Sequence, residues 1–341
     1  MKTTPQAQAI FVILGLAGMA IVLLSTSVYG AGLSPDSATY VYAARSLLSG
    51  DGLITLGGNS FVVHPPLFPT LLAGLGLMGI EPLDGARFFN AVVFGLIIFA
   101  TGHLFRIYLR TWAVVIVGTA SLLASVIILR LGIMAWSEAL FVLLTVLFVI
   151  YLSKFLNERR FVLLLLIGIL AAFACLQRYL GFTLVLTGFI SIAFFMRTWT
   201  FPEKFKYLAF FISVSAIPIT VWLARNYYLT SSFTGVRPPS ATNFLENLGD
   251  ILYTVSTWLV PTDYVTVASV RIFFVVLSVS VLAALLAIVL RSSLRGRTDS
   301  QALQLAPAAI FVVVYTLSLL IIRTKVAFYA PVGDRLLSPI Y

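Results

Sequence analysis

The chain has 341 residues, of which 60% are hydrophobic and only 10% charged, too little polar surface to cover a water-soluble globule. Its mean hydropathy of +1.06 and its long apolar runs predict an all-α polytopic transmembrane helical bundle, a single domain over residues 1–341. The formal net charge of +10 does not indicate nucleic acid, because the basic residues stand in short clusters between apolar runs, as membrane topology requires. The single cysteine, Cys175, lies inside an apolar run, so it offers no disulfide or cysteine metal cluster and suits a small core position.

In chain order, Lys2 is followed by an apolar run with no charge until Asp36. That run is too long for a signal-peptide core and has no clear small-residue cleavage site, so residues 9–29 are expected to stay as a first span. Further charge-poor runs at 88–105, 111–129, 138–153, 161–177, 179–196, 207–224, 272–290 and 306–322 bring the expectation to about nine crossings. Residues 67–80, between Pro65-Pro66 and Glu81, are too short to cross and read as re-entrant or interfacial. The C-terminal DRLLSPIY reads like the approach to a tenth span, so the chain is expected to be truncated before further C-terminal spans.

Counting charges in alternate loops orients the bundle. With the N-terminus inside, the inner side carries dense groups such as Arg106/Arg110, Arg159-Arg160, Lys204/Lys206 and Arg291/Arg295/Arg297. Its net charge, with Lys2, Lys154 and Arg197 against Glu158, Glu203 and Asp299, is +9; the outer side carries +1. The positive-inside rule therefore predicts a cytoplasmic N-terminus and an outward-facing first loop (30–87) and long loop (225–271). A plasma or bacterial inner membrane is the expected location. The long loop contains an amphipathic stretch over 243–260, broken by Pro261; its length suits a substrate lid, with disorder as the alternative.

The first outer loop is the most informative segment. Ser34 is a good N-cap and Pro35 suits the first helical position, so Asp36 falls in a first turn, where backbone N–H groups favour its charged form. Tyr40, Ala43, Ala44, Leu47 and Leu48 recur on one helical face, opposite Thr39, Arg45, Ser46 and Ser49, and Gly50 and Gly52 around Asp51 end the helix. Such a helix is too short to span a bilayer but can lie at its rim, its acid serving either chemistry or merely the cap.

Soluble-enzyme templates are absent: there is no Gly-rich phosphate loop, no HExxH pair and no Cys/His metal spacing. What remains are ionisable residues placed singly at the outer ends of spans, namely Arg87, Arg130, Glu138, Arg178, Arg225 and Arg271, on the same side as Asp36. Any one of these arginines is accounted for by snorkelling. Glu138, in MAWSEALF with no adjacent base, is not. An outward acid pair among arginines suits an anionic, membrane-borne substrate, with cations holding a phosphate and a carboxylate orienting or deprotonating an acceptor. His64 opens HPPLFPTLLAGL, where it either contacts a ligand or sits satisfied at the interface; His103 reads as structural.

The order of SPDSATYVYAARSLLSGDGL, HPPLFPTLLAGL, MAWSEALFVLL, LQRYLGFTLVL, ARNYYLTSSFTG and GDRLLSPIY resembles the GT-C class of integral membrane glycosyltransferases. Within it, the chain is similar to bacterial relatives of the dolichyl-phosphate-mannose-protein mannosyltransferases and of the lipid A aminoarabinose transferases. The resemblance implies a polyprenyl-phosphate-linked sugar donor, an acceptor lipid, glycan or protein, and transfer on the outer face. Asp36 then matches the family's first-loop catalytic acid, Glu138 its second acid, and Arg335 a late basic residue near the donor phosphate. His64, Arg178 and Arg225 join Arg335 as candidate substrate-binding residues. His64 stands where the aminoarabinose group often has a lysine, and the family's distal spans or soluble domain have no counterpart here, which leaves donor and acceptor identity open. Assistance by a divalent metal is also open. Against this inverting-transferase reading stand a transporter or flippase of lipid-linked saccharides, which would favour pseudo-symmetric halves and mid-span polar residues, and a structural membrane subunit.

Overall fold

The structure, a computed structural model, describes residues 5–109, 111–196, 199–258, 267–294, 300–327 and 332–341. Lys2, Arg110, Arg197, Arg295, Arg297 and Asp299, which enter the charge count, lie outside them, as do residues 259–266 with Pro261. Among the described residues the chain is all-α, with isolated backbone bridges and no strand. The helices are α1 (Pro5–Ser25), α2 (Pro35–Leu48), α3 (Leu67–Gly76), α4 (Pro82–Tyr108), α5 (Trp112–Ala124), α6 (Val126–Ile133) and α7 (Glu138–Glu158). They continue as α8 (Phe161–Gln177), α9 (Phe182–Phe195), α10 (Phe201–Thr230), α11 (Phe244–Thr257), α12 (Ala268–Leu294), α13 (Ser300–Lys325) and α14 (Asp334–Leu337).

Local chemistry explains α2. Ser34 caps it, accepting from the Ser37 N–H at 3.4 Å; Pro35 stands at its first position and Asp36 in its first turn. Its end follows from Gly50 and Gly52, whose φ of 88° and 78° are left-handed and cheap only for glycine. Ser46 corrects the expected amphipathic pattern: it is buried, because its Oγ donates to Gly52 O at 2.9 Å and is satisfied inside the turn.

The expected single span at 111–129 is also corrected. Helices α5 and α6 meet at a 53° bend where Ser125 serves as C-cap of one and N-cap of the other. Among the described residues five helices are long and apolar enough to cross a membrane, or six if this bent pair is one span, while 67–76, 161–177, 179–195 and 268–281 form shorter apolar stretches. By length and composition the count of nine is thus not reached. Of the segment expected as a long loop over 225–271, α10 runs on to Thr230 and α11 has its own Asn243/Glu246 capping box.

The bundle is organised by α7, which packs against α4 and α8 and separates two apolar clusters. One, with Val22, Phe94, Ile98, Leu131 and Val142, joins α1, α4, α6 and α7. The other, with Phe141, Phe148, Phe155, Ile167, Phe211 and Tyr315, joins α7, α8, α10 and α13. A third cluster, of Tyr40, Ala44, Phe61, Phe68, Leu72 and Trp222, fixes α2, α3 and the loop around Phe61 over one end of the bundle.

The α1/α4 contact is a close backbone approach. A Cβ at Gly15 would lie 2.8 Å from Gly95 O, and one at Gly95 would lie 2.6 Å from Gly15 O. Neither oxygen can step aside without moving its helix, and small residues are what let membrane helices approach so closely. Gly95→Leu should therefore lower the melting temperature of the detergent-purified protein markedly, overpacking costing about 1–3 kcal/mol. Gly74→Ala, where nothing lies within 4 Å, should leave it unchanged or raise it; equal effects at both positions would contradict this account.

Candidate active site

Two segments a hundred residues apart meet at the site. The Gly32 N–H donates to Ile133 O at 2.9 Å and the Ala135 N–H donates to Gly32 O at 2.9 Å, so the lead-in to α2 runs beside the lead-in to α7. The buried Asn90 of α4 clamps that seam, its Nδ2 donating to Met134 O at 2.8 Å and to Trp136 O at 3.1 Å. Gln177 Nε2 donates to Ser137 O at 2.7 Å, and Trp136 Nε1 donates to Ser34 Oγ, the α2 cap, at 2.9 Å. The N-termini of α2 and α7 are thereby held together, each with an acid in its first turn where N–H groups favour negative charge.

Arg335, the second residue of α14, spans the two acids. Its Nη2 donates to Asp36 Oδ2 at 2.6 Å and its Nε to Glu138 Oε1 at 2.5 Å, while the guanidinium lies 4.3 Å over the Trp136 ring. Arg178, just past α8, forms an ion pair with the same Glu138 oxygen, and Ser137 Oγ donates to Glu138 Oε2 at 3.3 Å. Glu138 is 1% exposed and is already engaged by three donor atoms. The Asp36 side chain is 36% exposed, which makes it the acid a substrate can reach.

His64 completes the group. Its Nε2 lies 3.7 Å from Asp36 Oδ1 and its Nδ1 lies 3.2 Å from the Tyr40 hydroxyl, which is also 3.2 Å from Ser137 Oγ. The loop that carries His64 is tied down from behind. Tyr179 OH donates to Val62 O at 2.6 Å, and Arg237 Nη2 donates to Val63 O at 2.8 Å. Tyr179 is in turn held by Trp222 Nε1 and Asn226 Nδ2, each at 3.2 Å.

Of the six residues singled out in the sequence, five (Asp36, Glu138, His64, Arg178 and Arg335) come together. Arg225 does not join them: its Nη1 donates to Phe61 O at 3.2 Å and to Asn226 Oδ1 at 3.1 Å, with the guanidinium 4.5 Å over Trp222. Arg87 is likewise built into a helix contact, donating to Thr26 Oγ1 at 2.9 Å and Leu23 O at 3.0 Å. Reading the sequence missed Tyr40, Asn90, Trp136, Ser137, Gln177 and Arg237. Tyr40 sat correctly on the apolar face, but nothing in the spacing revealed that its hydroxyl meets Ser137. Among the described residues no three His, Cys, Asp or Glu side chains are grouped to hold a metal.

The electrostatics separate the two groups at the opening. For Asp36, burial by itself raises the pKa, but the His64 ring, charged in the acid range where Asp36 titrates, together with Arg335, its hydrogen bond and Arg178, outweighs burial and holds the carboxyl below the usual carboxylate range. For His64 burial wins, pushing the imidazole down to about 4 against the pull of Asp36. The ring is neutral at pH 7, so the positive charge that keeps Asp36 ionised there comes from Arg335 and Arg178.

No family model matches the chain, and no curated protein matches its sequence. Among solved structures it is similar to a chain of the S. cerevisiae protein O-mannosyltransferase Pmt1-Pmt2 complex bound to the sugar donor, with a TM-score of 0.52 and 18% identity. The match covers 68% of this chain and 35% of that one, so the present chain spans about a third of its neighbour's length. At that identity the likeness establishes the fold, that of a polytopic membrane protein.

The neutral state of His64 has a sign that can be measured. Between its folded value of about 4 and an unfolded value of about 6.5, the unfolded chain binds a proton that the folded one refuses, so stability falls as pH drops through that window. Asp36, also lowered on folding, adds slope of the same sign only toward the acid end of that window, and it does so in the wild type and the variant alike. Melting temperatures of the wild type should therefore decline more steeply from pH 6.5 to 4.5 than those of His64→Asn; parallel curves would mean that His64 is charged in the folded protein.

Proposed function

We propose that the protein is a membrane glycosyltransferase that moves a sugar from a polyprenyl-phosphate-linked donor to a hydroxyl of a lipid, glycan or protein acceptor at the outer face of the membrane. The observation that carries this reading is the Asp36–Arg335–Glu138–Arg178 cluster at the ends of apolar helices, with Asp36 the one of its two acids open to a substrate. The fold likeness to a membrane O-mannosyltransferase and the resemblance of the motif order to GT-C enzymes support it, as does the loop charge asymmetry for the outer face.

The division of labour follows from burial. Glu138 is fixed between Arg178 and Arg335 and serves to hold the two guanidinium groups in place. Removing one partner of such a buried pair costs about 3–5 kcal/mol. Asp36 receives the acceptor hydroxyl, aims its oxygen at the anomeric carbon and takes its proton as the new bond forms and the polyprenyl phosphate leaves from the opposite side. A low pKa keeps Asp36 ionised and ready; the hydroxyl becomes acidic as its oxygen bonds to carbon, so a weak base suffices late in the step. The carboxylates use Nε and Nη2 of Arg335, which leaves its Nη1 edge for phosphate oxygens of the donor. Arg225, holding the loop backbone at Phe61, contributes to the donor site through the position of that loop.

Membranes or purified protein incubated with labelled polyprenyl-phosphate sugars should yield label on an acceptor, and Asp36→Asn should lower turnover by about two to four orders of magnitude while the protein still inserts and purifies. Near-normal turnover by the Asn variant would leave Asp36 as a helix cap only. Movement of the lipid-linked sugar across the bilayer without transfer would instead support the flippase reading.

Arg335 is tested separately, because a guanidinium serves two carboxylates and a phosphate through different nitrogens and an ammonium is a single point charge. Arg335→Ala should raise the donor concentration needed for half-maximal rate at least tenfold, with Lys recovering only part of the loss and acceptor saturation changing little. Full recovery by Lys would assign Arg335 to the membrane surface rather than to the donor.

A further inference from the structure

The hydrogen-bond chain from Glu138 to His64 has a direction. Glu138 Oε2 is a carboxylate oxygen and accepts only, so at the 3.3 Å contact Ser137 Oγ is the donor and its single proton is used. Arg178 Nη1, 3.4 Å from Ser137 Oγ, has no acceptor capacity and donates as well. The remaining contact of Ser137 Oγ, with the Tyr40 hydroxyl at 3.2 Å, is made by the Tyr40 proton. Tyr40 is 2% exposed and burial pushes its pKa upward, so that proton stays in place. The phenol oxygen then faces His64 Nδ1 at 3.2 Å with no proton of its own to give. Nδ1 must carry the hydrogen.

A neutral imidazole with Nδ1 protonated has a bare Nε2, and this Nε2 points at a carboxylate oxygen 3.7 Å away. Two acceptors facing each other at that separation make no hydrogen bond and leave room for a donor beside the line between them. A hydroxyl oxygen placed to one side lies within roughly 2.8 Å of both atoms.

Resting on the glycosyltransferase reading above, we propose that Asp36 does not take the acceptor proton alone: His64 Nε2 shares it, and Tyr40 is the positioning residue that holds His64 in the tautomer able to do so. In the step, the acceptor O–H bond breaks as its oxygen bonds to the anomeric carbon. The bond from that carbon to the phosphate oxygen breaks, its electron pair leaving with the polyprenyl phosphate. The proton passes into the gap between Asp36 Oδ1 and His64 Nε2, where it turns a contact between two acceptors into a hydrogen bond and holds the pair together until it is lost to solvent. Besides Asp36 and Tyr40 of α2, the charged groups that act on His64 are Arg178 after α8, Glu138 of α7 and Arg237 of the long loop. The two arginines disfavour a lasting imidazolium, which suits a proton that is passed on rather than kept.

The resting tautomer is read without any substrate. The chain has two histidines, His64 and His103, so the protein labelled with 15N-histidine gives two ring systems, and the one lost in His64→Gln is assigned to His64. The expected spectrum is that of a neutral ring with Nδ1 protonated. A ring with the hydrogen on Nε2, or an imidazolium at pH 7, overturns the proposal whether or not transfer has been detected. Tyr40→Phe should shift His64 toward the other tautomer and lower kcat about tenfold or more with donor KM little changed. His64→Gln, which presents no base at that position, should lower kcat by about a hundredfold. Its turnover should show a weaker loss than Asp36→Asn. Transfer by the wild type with near-normal kcat in both Tyr40→Phe and His64→Gln would remove the shared proton while leaving the glycosyltransferase reading intact. Absence of transfer from any lipid-linked sugar tested would remove that reading and, with it, the step.

Discussion

The site depends on a backbone seam one residue wide. Gly32 exchanges hydrogen bonds with Ile133 and Ala135, and Asn90 of α4 holds the carbonyls of Met134 and Trp136, on either side of Ala135. The seam brings the first-turn acids of α2 and α7, a hundred residues apart in sequence, to one place. Because both helices point their N-termini at the same place, the backbone N–H groups of two first turns favour the charged acids in a region otherwise poor in water. Two arginines from distant parts of the chain then complete the balance.

That balance explains why Arg335 is held so firmly although α14 is a single turn. Val332 accepts from Thr254 Oγ1 at 3.1 Å, Trp258 Nε1 donates to Asp334 Oδ1 at 3.0 Å, and Tyr315 OH donates to Leu336 O at 2.7 Å. Helices α11 and α13 thus deliver the guanidinium to the carboxylates. Two charges buried beside each other return their desolvation cost only when geometry is good and the remaining lone pairs are satisfied. Glu138 meets both conditions. Asp36 meets the first with one oxygen, while its other oxygen faces His64 Nε2 at 3.7 Å.

Around the opening, α2, α3 and the loop through His64 form a separate apolar cluster on the end of the bundle. Tyr179, Arg225 and Arg237 bond the backbone of 61–63, and Asn226 braces Tyr179 from behind. These residues touch neither acid, yet they set where the imidazole stands. A shift of the loop by a fraction of an ångström would close or open the gap beside Asp36, which makes the far side of the loop as important to the site's geometry as its near side.

Local chemistry was legible in the sequence. Ser34-Pro35-Asp36 specified a capped helix start, Gly50 and Gly52 its end, and uninterrupted apolarity the all-α membrane class, because such signals act over a few residues and need no partner. Five of the six candidate site residues also lie together in space; an isolated charge beside apolar sequence is costly and so marked Glu138, whereas Arg335 was singled out through the family resemblance. What no reading of the chain supplied were the pairings: that Arg335 bridges Asp36 and Glu138, that Arg225 serves the loop backbone, that Ser46 turns inward and that Ser125 bends a span. Each depends on which atoms lie within about 3 Å, six residues apart for Ser46 and more than a hundred apart for Arg335 and Arg225. The sequence by itself determined which groups are charged and where helices begin; only the packing of α2 and α7 along the seam decided which charges meet, because hydrogen bonds and ion pairs are set by distance in space and composition carries no record of it.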